Sequence, residues 1–525
     1  MSGLRQLEKP PRRRPRWSRR WALIAAVPLL IAGLTGVARA DDDAVVNGCV
    51  TSVPDPGTTA PVSICYTVFR PPGASADKPV PLIFDSHGWG GSRATSASAF
   101  ADFLGAGFGV LSFDQRGFGQ SGGQAQLENP DYEGQDVQRL VDLIAGLDWV
   151  AKQAPGDPVL GAMGGSYGGG YQFVGAFSEL RDRGKTRFDA LAPQITWYDL
   201  AGSLAPQGVP RSEWPLLLYL AGIPSTANPP VVTTGLLESL ATGNFPDSLA
   251  AFMAHNGPQW NAGQGRRLDI PVLFGQGITD NLFPLEQGLK NFQNALTPRA
   301  RAQSIFVGYN GGHTLPSVFP PGSPGAVDVF SSAQAAGDPC SAELGGGDFR
   351  KLSLRFFTEQ LLGKPTGLGG QGVYHLATLG GRCQTVGSTA ASTAIPVGTV
   401  SSPVGLGLPQ SVPVARGPVT IAGTPTLDAD VTSTSPDGRL FMALSVGTSA
   451  LDAKIVQNNM LPLRQLGGTE QRSGVELPSV AVDVPAGQTL FLTVSPISDL
   501  SFAHGSRIPG IMTLRNTVVR LPVVR

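Results

Sequence analysis

Seven residues, Gly164-Gly165-Ser166-Tyr167-Gly168-Gly169-Gly170, constrain the fold more than any other segment of the chain. They follow Val159-Leu160-Gly161-Ala162-Met163, which reads as a buried strand, and precede a helical stretch from Tyr171 to Glu179. A chain that passes from strand to helix with glycines on both sides of a serine makes a turn too tight for flanking side chains. The spacing Gly164-x-Ser166-x-Gly168 therefore lifts one hydroxyl above the end of a strand. The helix that starts there favours negative charge developing near its N-terminus. The five-residue pattern alone is weak in a chain with 68 glycines among 525 residues. The strand before it and the helix after it supply the context it needs.

The surroundings point the same way. Short apolar runs alternate with helical patterns from about Pro79 to Gly363, as in a parallel α/β sheet. Strands are expected at Val80–Phe84, Gly109–Phe113, Val159–Met163, Ala190–Thr196, Ile270–Phe274 and Ser304–Val307, with a closing helix from Phe349 to Leu362. Between Trp197 and Arg267 strand alternation stops, and a helical cap over about 198–267 is expected. From about Val386 to Gln410 the chain is uncharged and rich in Ser, Thr, Pro and Gly, the composition of a linker. Beyond it, runs such as Leu440–Val446, Val480–Val484 and Thr489–Val494 read as strands of a β-sandwich. The expected organisation is a targeting segment 1–40, a catalytic domain 41–385, a linker 386–410 and a β-sandwich 411–525.

The targeting segment has three parts: a basic block at Arg12–Arg20, an uncharged run from Trp21 to Ala38, and the small-x-small site Ala38-Arg39-Ala40. That is signal-peptide architecture, so the chain is expected to be exported, secreted or held in the cell envelope, without a stable membrane span after cleavage. Ser18-Arg19-Arg20 keeps a twin-arginine route open beside the general one. In an exported chain four cysteines read as two disulfides, and local pairing of Cys49 with Cys65 and Cys340 with Cys383 is expected among three connectivities. Their spacing fits no zinc motif. The formal net charge of zero conceals an asymmetry: residues 1–40 hold nine basic and one acidic side chain, leaving 30 basic against 38 acidic. The mildly acidic remainder argues against a nucleic-acid partner.

A serine hydroxyl needs a base within reach and an acid to orient that base. On a fold of this kind the chain order is Ser, acid, His. His313 follows a strand through the glycine loop Gly308-Tyr309-Asn310-Gly311-Gly312 and is the candidate base. His255 falls in the cap, His375 near a cysteine and His504 in the β-domain. Asp280, after the strand Ile270–Phe274, is the candidate acid, with Glu286 a weaker alternative inside a helix. An oxyanion needs preorganised N–H donors. The backbone amides of Tyr167 and of Trp89, in the loop Asp85-Ser86-His87-Gly88-Trp89-Gly90-Gly91-Ser92, are the candidates, with Gly88 as neighbour and His87 shaping the loop. Trp197, Tyr198 and Trp214 are candidates for an apolar acyl pocket. No metal or organic cofactor is expected.

With these residues in place, the chain resembles the X-prolyl dipeptidyl-peptidase / cocaine-esterase family of α/β-hydrolases. The resemblance rests on the Ser166 setting, on Asp114-Gln115-Arg116-Gly117-Phe118-Gly119-Gln120-Ser121-Gly122-Gly123, similar to that family's D-x-R-G-x-G-x-S-x-G segment, and on a β-domain after the catalytic one. It implies an α/β-hydrolase fold with a helical cap insertion, followed by a C-terminal all-β jelly-roll-like sandwich. The family's oxyanion tyrosine has no counterpart here, where Trp89 stands, so two backbone amides are expected to take its place. Arg116 is expected to pair with Asp114 or with an acid of the following helix, Glu133 or Asp136. The expected function is an exported serine hydrolase acting on a small-molecule ester or peptide, esters preferred because no acid cluster for a free amino terminus is identifiable. An X-Pro dipeptidyl-peptidase, a secreted acyltransferase and a non-catalytic binding protein remain as alternatives.

Overall fold

The structure is a computed structural model that describes residues 44–315, 338–368, 372–456 and 459–524. The export segment read at residues 1–40 lies outside the described residues. Ten strands form one sheet: β1 Val45–Ser52, β2 Val62–Phe69, β3 Leu82–Ser86, β4 Gly109–Phe113, β5 Leu160–Gly165, β6 Ala190–Gln194, β7 Leu273–Gly277, β8 Ile305–Tyr309, β9 Tyr374–Ala377 and β10 Cys383–Val386. Their spatial order is β1-β2-β4-β3-β5-β6-β7-β8-β9-β10. Pairing is parallel from β4/β3 through β8/β9 and antiparallel at both margins. Every residue of β4 is buried, which is why its sequence is a continuous apolar run rather than an alternation.

The strand order reverses at β3: β4 lies on one side of it and β5 on the other. In open α/β sheets the crevice beyond the strand ends at such a point is where ligands bind. Here β3 delivers the loop that carries Trp89, and β5 delivers Ser166. The strand expected from Ile270 begins only at Leu273. Pro271 has no N–H for a ladder, although its carbonyl accepts from Leu191. The shift carries β7 on to Gly277 and places Asp280 just beyond its end.

The margins were not foreseen. β1 and β2 pair with Cys49 opposite Cys65, and the two are joined by a disulfide. The second disulfide, Cys340–Cys383, fastens the helix Pro339–Glu343 to β10. Both pairings are those expected.

The 198–267 segment carries five helices, Leu200–Leu204, Glu213–Gly222, Pro230–Thr242, Asp247–Met253 and Pro258–Gly263. The C-terminal part is antiparallel β-structure. One sheet runs in the order Thr393–Val404, Gly510–Leu521, Thr426–Ser433, Gly468–Glu476; the other is centred on Gly438–Gly447 and Thr489–Ser495. This corrects the linker reading of 386–410. Thr393–Val404 is an edge strand, paired along its length with Gly510–Leu521. Its prolines, Pro396 and Pro403, are compatible with an edge, and the register shifts around Gly398. Val400, Ser402 and Val404 turn inward and are buried. The apolar core runs without a break from the α/β sheet into the sandwich, and a second cluster fills the space beneath the cap.

Candidate active site

Ser166 sits between β5 and the helix Tyr167–Arg183 with φ 59° and ψ −124°. That conformation is strained for a residue with a side chain, and the neighbours show what enforces it. A β-carbon on Gly168 would lie 2.4 Å from the carbonyl oxygen of Ser86, and one on Gly164 would lie 2.5 Å from that of Gly168. The Ser166 amide donates to the Gln194 carbonyl at 3.0 Å, fastening the turn to β6.

The Ser166 hydroxyl is 2.9 Å from His313 Nε2, and His313 Nδ1 is 2.7 Å from Asp280 Oδ2. The same carboxylate oxygen accepts the backbone N–H of His313 at 3.0 Å. Its other oxygen accepts the amides of Leu282 and Phe283 at 3.0 and 2.7 Å. Asp280 thus accepts from four N–H groups. With Nδ1–H donating to it, Nε2 is left free to accept from the serine. Gly312, at φ 110°, lets the histidine loop approach: a β-carbon there would stand 2.6 Å from that of Asp280. The imidazole lies edge-on to Phe283 and Trp214, with centroids 5.4 and 5.8 Å away.

Asn281 holds the assembly together, and nothing in the sequence marked it. Its N–H donates to the His313 carbonyl at 2.8 Å. Its carbonyl accepts from Arg211 Nη1 at 2.7 Å, and its side-chain oxygen from the Trp214 indole at 2.8 Å. Arg211 in turn donates to Asn459 Oδ1 of the sandwich at 2.7 Å. Burial lowers the Arg211 guanidinium to about 10.

The loop after β3 stands against the serine. A β-carbon on Gly88 would be 3.6 Å from that of Ser166. Gly91 donates to the Gly88 carbonyl at 3.0 Å, closing a turn with Trp89 and Gly90 at its corners. His87 fixes this turn: Nε2 accepts from the Gln115 amide at 3.1 Å, so Nδ1–H donates to the Gly88 carbonyl at 2.8 Å. Burial lowers the His87 pKa, which favours this neutral form. The Trp89 indole reaches up to the Leu218 carbonyl of the cap at 2.8 Å.

Trp89, Ser166, Tyr167 and Trp197 line a cleft roofed by cap residues that include Leu218 and Leu236. Two of the three expected pocket residues lie elsewhere. Trp197 turns inward and donates to the Asn256 carbonyl at 2.5 Å. Tyr198, the next residue, faces the opposite way and lines a polar cleft with Gln259, Glu286 and Lys290. Trp214 packs on His313 and is tied to Asn281 rather than lining the cleft. Glu286 accepts the Ser479 amide at 3.1 Å.

The Asp114–Gly123 segment is a buried polar knot. Asp114 pairs with Arg93, and a β-carbon on Gly119 would collide with the Asp114 carboxylate. Arg116, buried, takes Asp136 at 2.6 and 2.9 Å and Asp55 at 2.9 Å. The pairing with the following helix is therefore the one realised, and no surface of Arg116 is left for substrate. Glu133 nearby is pushed up to about 8, chiefly by burial and then by Asp136. Among the described residues no three His, Cys, Asp or Glu side chains are grouped so as to hold a metal ion.

The sheet order, the turn at Ser166 and the residues it presents define an α/β-hydrolase fold. The sequence profile of the X-Pro dipeptidyl-peptidase (S15 family) matches residues 61–314. A CocE/NonD family hydrolase from Staphylococcus aureus superposes with a TM-score of 0.59 at 12% identity, covering 91% of this chain and 97% of that one. Over residues 61–314 the chain therefore carries the sequence pattern of the X-prolyl dipeptidyl-peptidase / cocaine-esterase family that it resembles. It is 28% identical over 243 residues to the quorum-quenching protein AidA of Acinetobacter baumannii, 43% of this chain and 77% of that protein. With an uncharacterized 31.7 kDa protein of Escherichia coli it shares 36% identity over 103 residues, 19% of this chain and only about a third (34%) of that protein's length.

Proposed function

We propose that this chain is an exported serine hydrolase that cleaves esters through an acyl-enzyme. The observation that carries the reading is the unbroken series from Ser166 Oγ to His313 Nε2, and from His313 Nδ1 to Asp280. Ser166 Oγ attacks the carbonyl carbon while His313 Nε2 takes its proton. The N–H groups of Tyr167 and Trp89 receive the oxyanion. Collapse breaks the bond to the leaving group, which departs with the proton from Nε2. Water then repeats the sequence: His313 takes its proton, the acyl–oxygen bond to Ser166 breaks, and the serine recovers its hydrogen. Asp280 stays ionised and stabilises the imidazolium of each step.

The preference for esters is supported by the cleft. Among its lining residues there is no Asp, Glu, Lys or Arg. The acids Glu128, Glu133 and Asp136 are buried beside Arg116 and Tyr167 rather than presented to a substrate amino group. Export is supported by the two disulfides, which persist in oxidising compartments.

A fluorophosphonate probe is expected to label the wild type and not Ser166→Ala, and the variant should lose at least about 10⁴-fold in kcat on p-nitrophenyl esters. Labelling of Ser166→Ala, or turnover restricted to X-Pro p-nitroanilides, would overturn the assignment or the ester preference respectively.

A further inference from the structure

Two cap helices are apolar on both faces. Leu216, Leu217 and Leu220 of Glu213–Gly222, Ile223 just after it, and Leu237 and Leu240 of Pro230–Thr242 are between 41% and 63% exposed. Positions 216, 217, 220 and 223 recur at helical spacing and form one outward stripe. The inward sides of the same helices, through Leu218 and the flanking Tyr219 and Leu236, line the cleft that holds Ser166. Single exposed leucines need no explanation, but a contiguous group marks an interaction site.

Charge narrows the partner. Between residues 213 and 242 the charged side chains are Glu213, which is buried, and Glu238. The sandwich segment that bonds to these helices also exposes Phe502 and Ile508. Arg507 between them is engaged by the carbonyls of Leu240 and Ala241. The stripe itself offers no cation to a phosphate or carboxylate. Beyond residue 40 the chain holds 38 acidic against 30 basic residues, which disfavours an anionic surface.

We infer that this face docks the protein on an uncharged or zwitterionic lipid surface, and that its substrates are esters with long apolar acyl chains drawn from that surface into the cleft. The substrate half rests on the hydrolase reading above; the docking half does not. One turn of helix carries both surfaces: Leu217 and Leu220 meet the lipid, while Leu218 and Tyr219 meet the cleft. An acyl chain thus passes from one apolar environment to another around a single helix, about 10 Å across.

Flotation with vesicles tests the docking in a Ser166→Ala background, where turnover plays no part. The protein is expected to float with phosphatidylcholine vesicles and to gain nothing from added phosphatidylglycerol. Leu217→Glu combined with Leu237→Glu should weaken partition by about tenfold or more. In the active enzyme the same pair should lower turnover of emulsified p-nitrophenyl palmitate by about tenfold. Its kcat/KM on soluble p-nitrophenyl acetate should stay within about twofold, which also reports that the cap is folded. A second pair, Leu216→Gln with Leu240→Gln, should reproduce the loss.

Ser166→Ala protein that stays in the dense fraction overturns the docking, as does unchanged flotation in either folded double variant made in that background. A dimer that the charged pair converts to monomer, without flotation, puts a second copy in place of lipid and also overturns it. Flotation with turnover of acetate but not palmitate overturns the substrate class alone. Flotation without turnover of any ester overturns the hydrolase reading and leaves the docking standing.

Discussion

Ser166 and Leu218 border the same cleft from opposite sides, and they are held there in different ways. Ser166 has a left-handed φ between Gly164 and Gly168, neither of which tolerates a β-carbon, and its hydroxyl heads a series of directed bonds. Leu218 is one of several apolar side chains in the second core cluster, and its own polar contact is a backbone carbonyl. Hydrogen bonds weaken steeply with angle and distance, whereas apolar contacts are non-directional and tolerate repacking. The floor of the cleft is therefore specified atom by atom, and its roof by volume and polarity.

The largest test of this contrast is Asp280→Asn. An amide at this position keeps the shape but can present N–H₂ where His313 Nδ1–H needs an acceptor. A fall in kcat of about 10⁴-fold is expected with an unchanged melting temperature. A loss below about a hundredfold would mean that the floor does not act as one unit.

Asn281→Ala comes next. It removes the acceptor of the Trp214 indole and leaves the backbone bonds to Arg211 and His313 in place. The freed buried donor corresponds to about 1–3 kcal/mol, so kcat should fall about 10- to 100-fold with KM little changed. Asn281→Asp, which keeps an acceptor for the indole, should recover part of the loss. An equal loss in both variants would show that Asn281 merely fills space.

On the roof, Leu236→Ala should change kcat/KM by about threefold to tenfold, in opposite directions for short and long acyl chains. A hundredfold loss on every ester would erase the distinction between roof and floor.

The smallest effect concerns a residue behind the floor. Glu128 is buried, and neither carboxylate oxygen has a hydrogen-bond partner among the described residues. Burial, and then Glu133 and Asp136, raise its pKa well above 4.5. An acid whose folded-state pKa is raised contributes fully to stability below its unfolded value and loses that contribution as pH climbs towards the folded one. The slope is at most about 1.4 kcal/mol per pH unit. Glu128→Gln should therefore melt a few degrees higher relative to the wild type at pH 8 than at pH 5. A difference that does not change with pH would show that Glu128 is not holding a proton.

The same contrast explains what could be read from the sequence. Ser166, His313 and Asp280 were legible because backbone constraints leave local marks: glycines where a turn must close, strands that end beside them, a fixed chain order. Asn281 was not, because its three partners lie 32 to 70 residues away in sequence, and an asparagine after an aspartate carries no local signal. The separation of Trp197 from Tyr198 depends on which side of the chain the Asn256 carbonyl and the Gln287 side chain approach, again a tertiary fact. Thr393–Val404 was read as a linker because an edge strand with prolines and small polar residues has a linker's composition; only its pairing partner, more than a hundred residues later, distinguishes the two.

The bond from Arg211 to Asn459 spans 248 residues, and those from Ser212 to His504 and to the Phe502 carbonyl span 292 and 290. The cap is thus seated by segments made near the end of synthesis. In a chain stopped before residue 459, Arg211 lacks the sandwich partner that fixes it over Asn281. The seating of the cap arrives late, with the last eighth or so of the polypeptide. A chain built this way stays unfinished until its C-terminal strands have joined.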